Sequence, residues 1–407
     1  MEERRDQLDK EGREMESEAA AASKGEDLLH DFERILHDDP LIDEVGFLHP
    51  TQFLSLLVDS TNKSQHFWCS DHKLAISTDI LPDLYRAARH AHSDTTLSPP
   101  SPSPSAASLI MTHSKALLIL CPDLLTAWNS RKRVLSANYD LKHLTDELQF
   151  CALTLSYSPK NESTWSHRRW VITKLAQHLQ DMSELIDNES LLVKQIAEKS
   201  KMNYRAWRHR CWLIPFMTAK QVLDELNKSI KWTELHVADN CCFHYRRSLL
   251  LALLDSHGTE DGKDSPNWQS EAHLMWKEEL RWNEMLIRRY QGRESLWIHR
   301  RFLSQWWLQQ LLGCEEICSS KEETLADLFL AQEINLLSDC LGAPGDEFGE
   351  TRVQAGLAAL YILWISKQDA VVKGKVEERL QSAGSLEEVL TRASPEKSRL
   401  WTQLLHC

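Results

Sequence analysis

Glycine and proline are scarce in this chain of 407 residues, with thirteen of each, and both are gathered into a few stretches. Long runs are therefore free of the residues that end helices. No stretch approaches the roughly 18 consecutive apolar residues that span a bilayer, so no membrane span is expected. The N-terminus is charged rather than apolar, which argues against a secretory leader. The ten cysteines form no C-x-x-C pair and no framework spacing, and read as reduced thiols of a cytoplasmic protein. A basic excess is missing as well. The formal net charge is −13, and residues 1–27 alone hold ten acidic and five basic side chains. That balance disfavours nucleic acid as a partner, because such binding runs on neutralisation of phosphates by Lys and Arg. No Ser-His-Asp or Cys-His set, no phosphate-binding Gly loop and no paired carboxylates stand at recognisable spacing.

What the chain does have is tryptophan: fifteen, against seven Tyr and ten Phe. Five segments align on it: PDLLTAWNSRKRVL (122–135), PKNESTWSHRRWVI (159–172), KMNYRAWRHRCWLI (201–214), ADNCCFHYRRSLLL (238–251) and GRESLWIHRRFL (292–303). The anchor position holds Trp128, Trp165, Trp207, His244 and Trp297. Arg follows three residues later each time, as Arg131, Arg168, Arg210, Arg247 and Arg300. His167, His209 and His299 stand two residues after their anchors, and Asn161, Asn203 and Asn240 four residues before theirs. An amphipathic run precedes the anchored segments, so the unit is a helical hairpin with Pro or Asn in its turn. Asn there caps the second helix.

Trp and Arg three apart lie on one helical face. The indole fills a seam between stacked hairpins, and the guanidinium lies beside it or bonds exposed carbonyls. Each anchored helix also carries further basic residues: Arg131–Lys132–Arg133, His167–Arg168–Arg169, Arg205 with Arg208–His209–Arg210, Arg246–Arg247 and Arg300–Arg301. These form either a stripe that faces an acidic partner or solvated faces with Arg packed between repeats. Cys241, Cys242 and His244 cluster, but adjacent helical cysteines do not share a tetrahedral zinc. No metal site is assigned to this chain. Cys407 is last in the sequence, whereas a farnesylation box needs Cys fourth from the end, where Leu404 stands.

Along the chain, residues 1–27 read as a disordered or fraying charged tail and 28–92 as an N-terminal helical segment. Residues 93–108, SDTTLSPPSPSPSAAS, read as a flexible Ser/Pro-rich insertion. Residues 109–310 hold the five hairpin repeats, and 311–407 form a divergent helical region with a degenerate sixth hairpin at Gly349 to Trp364. The expected fold is an all-α, α/α superhelix of helical hairpin repeats. A tetratricopeptide array does not fit, in period or in its Gly.

The runs P-K-N-x-x-x-W-x-H-R-R-W (159–170) and N-Y-R-A-W-R-H-R-C-W (203–212) resemble the repeat of protein prenyltransferase α subunits. The resemblance covers roughly half the chain, residues 109–303. It implies a subunit that wraps a β subunit, most similar to the Rab-type geranylgeranyltransferase. In that pairing the β subunit holds the zinc, and this chain binds no cofactor. The pair joins a geranylgeranyl or farnesyl group from a prenyl diphosphate to a C-terminal cysteine of a protein substrate. The resemblance also implies a Lys-Asn-Tyr triplet before one anchor that reaches the diphosphate. The third repeat has Asn203 and Tyr204 but Met202 in the Lys position, with Lys201 before it and Arg205 after. Tyr204 is the expected hydroxyl donor, with Lys201 or Arg205 as the cation. The departure at Met202 leaves open a second reading, a helical-repeat scaffold that binds a protein partner without prenyl chemistry.

Overall fold

A computed structural model describes residues 22–57, 65–96, 103–137, 140–257, 268–313, 325–345, 347, 349–381 and 384–406. It divides between Phe216 and Met217 into two compact units. Most of the expected N-terminal tail, residues 97–102 of the Ser/Pro stretch and Cys407 lie outside the described residues.

The first unit opens with α1 (22–38) and continues with β1 (Glu44–Leu48), α2 (Pro50–Leu57), β2 (Phe67–Ser70) and β3 (Lys73–Ser77). The strands form one sheet in the order β1-β3-β2, with β1 parallel and β2 antiparallel to β3. This corrects the all-helical reading of residues 28–92. Phe32 of α1 stacks on Phe67 of β2 with ring centroids 5.5 Å apart, so the apolar face of this helix packs on the sheet. The β2–β3 turn places Asp71 and His72 at φ of 49° and 60°, and the turn carries no glycine to announce it. His72 is held there by Asp39, at 2.9 Å.

After α3 (Leu81–Thr96) the chain enters three hairpins: α4 (Pro104–Leu120) with α5 (Leu125–Ala137), α6 (Leu141–Tyr157) with α7 (Glu162–Ala176), and α8 (Ser183–Lys199) with α9 (Tyr204–Leu213). The Ser/Pro stretch ends earlier than its composition suggests. Ser103 caps α4 by accepting from the Ala106 N–H at 3.3 Å, and Pro104 fills the first turn, where no N–H is needed. Asn161 and Asn203 cap α7 and α9 through the N–H groups of Thr164 and Ala206.

The second unit continues the pattern with α10 (Ala219–Leu235) and α11 (Asn240–His257), α12 (Trp268–Arg289) and α13 (Glu294–Gly313), and α14 (Leu325–Gly342) and α15 (Glu350–Ser366). The last pair is a full sixth hairpin. Helices α16 (Ala370–Leu380), α17 (Leu386–Ala393) and α18 (Ser398–His406) follow, and buried Trp401 donates its indole N–H to the Ser394 carbonyl at 3.1 Å. The fold is thus an all-α array of helical hairpins with one small sheet near its start.

The α15 helix approaches the end of α17 so closely that a Cβ on Gly356 would lie 2.7 Å from the Ser394 hydroxyl oxygen. Gly356→Ala is expected to destabilise the second unit by about 1–3 kcal/mol through overpacking. Adding Ser394→Ala should recover part of that loss. Thermal unfolding of both variants checks it, and a neutral single variant would show that the helices are free to separate.

Candidate functional site

The two faces of the anchored helices do different work. On the buried face, Arg131 of α5 forms a two-pronged ion pair with Glu147 of α6, its Nε donating at 2.7 Å. Its Nη1 donates to the Met111 carbonyl of α4, also at 2.7 Å. The same Glu147 accepts from Nε2 of His167 on α7 at 2.7 Å. One carboxylate therefore ties the second helix of one hairpin to both helices of the next.

The arrangement recurs. Arg168 and His209 meet on Glu189, Arg246 and His299 on Glu279, and Arg300 and the Tyr361 hydroxyl on Glu333. Each Arg also donates to a carbonyl twenty residues earlier: Leu148, Leu226 and Leu280 in turn. Tyr245 donates to Glu225 at 2.7 Å. Aromatic stacking runs alongside. The His167 ring lies 4.4 Å from Trp128, His209 4.8 Å from Trp165, His299 5.1 Å from Phe243, and Tyr361 5.4 Å from Trp297.

These contacts correct the register of the fourth repeat by one residue. Phe243 holds the anchor position, Tyr245 the His position and Arg246 the Arg position. His244 is exposed and Arg247 only half-buried. Cys242 donates its thiol to the Asp239 carbonyl at 3.0 Å, and burial pushes its pKa up.

The indoles close the turns. Trp128 and Trp165 donate to the carbonyls of Pro122 and Pro159, each six residues back, at 2.8 and 3.0 Å. The Pro159 carbonyl also accepts from Asn203, at 2.9 Å, and Asn161 donates to Asp123 at 2.6 Å. Trp297 donates to Gln354 at 3.3 Å. Trp207 is buried, and Arg210 is buried with its guanidinium 5.5 Å from that indole. The Trp, Arg and His residues of the repeat thus lie in the interior, and Asn203 is a buried cap.

Electrostatics explains why these buried charges are tolerated. Burial alone would raise the Glu147 carboxyl, but the charge and hydrogen bonds of Arg131, joined by His167, hold it at about 2. Glu189 and Glu279 are held at about 2 by the same balance. For His167, His209 and His299 burial is the larger effect and pushes the imidazoles below 6.5 despite the adjacent carboxylates. The rings are therefore neutral in the fold, and the Glu contact assigns the proton to Nε2.

The solvent face is built differently. Tyr204, the first residue of α9, is 58% exposed, and Met202 before it is 57% exposed with φ of 54°. Lys201 is exposed as well. Arg205 reaches Glu162 of α7 at 3.3 Å, and the same carboxylate meets Arg169 at 2.7 Å and Arg208 at 3.9 Å. The structure brings Arg205 into a cluster of three guanidiniums, while Tyr204 and Lys201 are exposed side chains that precede it in sequence. The clamp carboxylates were not singled out from the sequence. A signal for the clamps exists: Glu147, Glu189, Glu225 and Glu279 each stand twenty residues before the His or Tyr they hold.

A family profile described as "Protein prenyltransferase alpha subunit repeat" matches residues 144–175, which span most of α6 and all but the last residue of α7. A zebrafish protein named "Protein prenyltransferase alpha subunit repeat-containing protein 1" is 31% identical over 262 residues, 54% of this chain and 61% of that protein. The human protein of the same name is 32% identical over 229 residues, 46% of this chain and 56% of its own length. The match thus spans less than two thirds of the length of these relatives. The rat "Geranylgeranyl transferase type-2 subunit alpha" is 24% identical over 254 residues, covering 60% of this chain and 40% of that protein.

The buried histidines set a pH dependence. Their folded pKa lies below the unfolded value near 6.5, so at higher pH both states are neutral and the full stability is present. Below 6.5 the unfolded chain takes up protons that the folded chain refuses, and stability falls by about 1.4 kcal/mol per pH unit for each such histidine. Denaturant unfolding at pH 7.5 and 5.5 is expected to show this loss, reduced by one histidine's share in His209→Gln. An equal stability at the two pH values would contradict neutral buried rings.

Proposed function

Because this chain belongs to the proteins built from the prenyltransferase α-subunit repeat, we propose that it serves as the α subunit of a heterodimeric protein prenyltransferase. The repeat itself, with its Trp/Arg register and its profile match, is the observation that carries this reading. The partner is a β subunit, of the Rab geranylgeranyltransferase type by similarity to the type-2 α subunits. The reaction is transfer of a geranylgeranyl or farnesyl group from its diphosphate to a C-terminal cysteine of a protein substrate. Zinc held by the β subunit lowers the pKa of that thiol. Among the described residues of this chain no group of three or more His, Cys, Asp or Glu side chains is placed to hold a metal ion, and none is assigned here.

This chain's own part is to stabilise charge on the departing diphosphate. Tyr204 offers an exposed hydroxyl at the start of α9, and Lys201 and Arg205 flank it in sequence. An O–H donor and a cation aimed at developing negative charge are the groups such a transfer needs. No helix of the described residues is long and apolar enough to cross a membrane. A cytoplasmic place of work agrees with the redox state read from the cysteines. A second reading, a partner-binding scaffold without prenyl chemistry, draws on one observation: Met202 replaces the cation of the triplet, while Arg205 is already engaged by Glu162.

Co-expression with each type of prenyltransferase β subunit, followed by gel filtration and a transfer assay, separates the two. A one-to-one complex that transfers lipid is expected, and Tyr204→Phe should then lower kcat by about tenfold or more with the complex intact. A complex without transfer supports the scaffold, and the absence of any complex refutes the subunit reading.

A further inference from the structure

The Glu clamps use one cation of each anchored helix and leave the next. One residue beyond the clamped Arg stand Lys132, Arg169, Arg247 and Arg301, each half-buried. Aromatic rings of the following repeat lie under two of them. Lys132 Nζ is 5.7 Å from the centre of the Trp170 ring, and the Arg247 guanidinium is 5.7 Å from Phe302. Nη1 of Arg169 and Nε of Arg247 and of Arg301 are buried with no hydrogen-bond partner. Burial pushes the Lys132 ammonium and the Arg247 guanidinium below their ordinary values. A cation stripped of water without an acceptor is held at a cost that an incoming anion removes.

In the first unit the imbalance is concentrated at one place. Among the described residues Glu162 is the carboxylate that ion-pairs with Arg169, Arg205 and Arg208, and its own side chain is 41% exposed beside Arg205 and Arg208 at 44% and 59%. Three guanidiniums around one carboxylate leave two positive charges uncompensated there, and Lys132 of the adjoining α5 lies over the Trp170 ring of the same α7 helix. This excess sits on a molecule whose formal net charge is −13.

We propose that the exposed face of α5, α7 and α9 around Arg169, Arg205 and Arg208 docks a carboxylate-rich segment of a partner protein. In the unbound chain, Glu162 occupies the place of one partner carboxylate. The proposal rests on the reading that the chain works through a protein partner, and it adds the chemistry of that partner's contact surface. Guanidinium forks pair with carboxylates in two-pronged fashion. A folded partner meets the local excess with a few well-placed carboxylates. A nucleic acid instead brings an extended run of phosphates against a molecule that is acidic as a whole.

The test uses the full chain and a fluorescent poly-glutamate peptide at low salt. Wild type is expected to bind, with affinity falling as salt rises. Arg205→Gln/Arg208→Gln should weaken binding about tenfold, and Lys142→Gln/Lys194→Gln, also exposed but on the first helices of the hairpins, should leave it unchanged. Glu162→Gln should tighten binding by about threefold or more, because it frees guanidiniums that an internal carboxylate now holds. The substituted Arg and Lys side chains are exposed and that of Glu162 is 41% exposed, so the fold is preserved. No binding by wild type, equal loss in the two double variants, or weaker binding in Glu162→Gln would each overturn the proposal. So would a single-stranded RNA of matched charge that binds more tightly than the peptide. If the peptide result holds but no β subunit binds, the subunit reading fails alone. If a β complex forms while the peptide result fails, the docking chemistry fails alone.

Discussion

The structure depends on a carboxylate buried between successive hairpins and shared by an Arg from one and a His or Tyr from the next. Taking a carboxylate and a guanidinium out of water is expensive, and their attraction repays that only when the geometry is good and the remaining donors are satisfied. Here the fork of Arg168 meets both oxygens of Glu189, its third nitrogen finds the Leu148 carbonyl, and His209 caps the same carboxylate. Removing any one group strands the others. Such a contact is a weak source of net stability against an apolar alternative, but it fixes which residue faces which. In a repeat protein, where each hairpin touches only its neighbours, that register decides how the stack continues.

Much of this was legible in the sequence. The Trp/Arg spacing located the second helix of the hairpins, and Asn161 and Asn203 cap theirs as their chemistry predicts. The fourth repeat was misread because Phe243, His244, Tyr245, Arg246 and Arg247 offer two frames, and a His at the anchor with an Arg three residues on looked as good as the true one. The Glu that breaks the tie lies on a different helix, twenty residues away, where local pattern does not reach. The sheet near the start was hidden for a similar reason. Its strands are four or five residues long, and their turn at Asp71 and His72 is held in a left-handed conformation by a contact with Asp39 rather than by glycine.

The same logic separates structure from function along the anchored helices. Residues the repeat makes most visible, Trp165, His167, Arg168, Trp207 and His209 among them, are interior parts of the clamp and do not reach solvent. The groups that reach solvent are the plainer ones between them: Tyr204 and Lys201, with Arg205 and Arg208 sharing the rim carboxylate Glu162. A buried Arg and a half-buried Arg one residue apart cannot be told apart by composition. What distinguishes them is the carboxylate each one finds, an interior Glu for Arg168 and the rim residue Glu162 for Arg169.

Hydrogen exchange on Glu189→Gln tests the shared clamp most directly. If one carboxylate couples two hairpins, protection should fall together in α7, which carries Arg168, in α8, and in α9, which carries His209. A loss confined to α8 would contradict the clamp as the interaction on which the stacking depends.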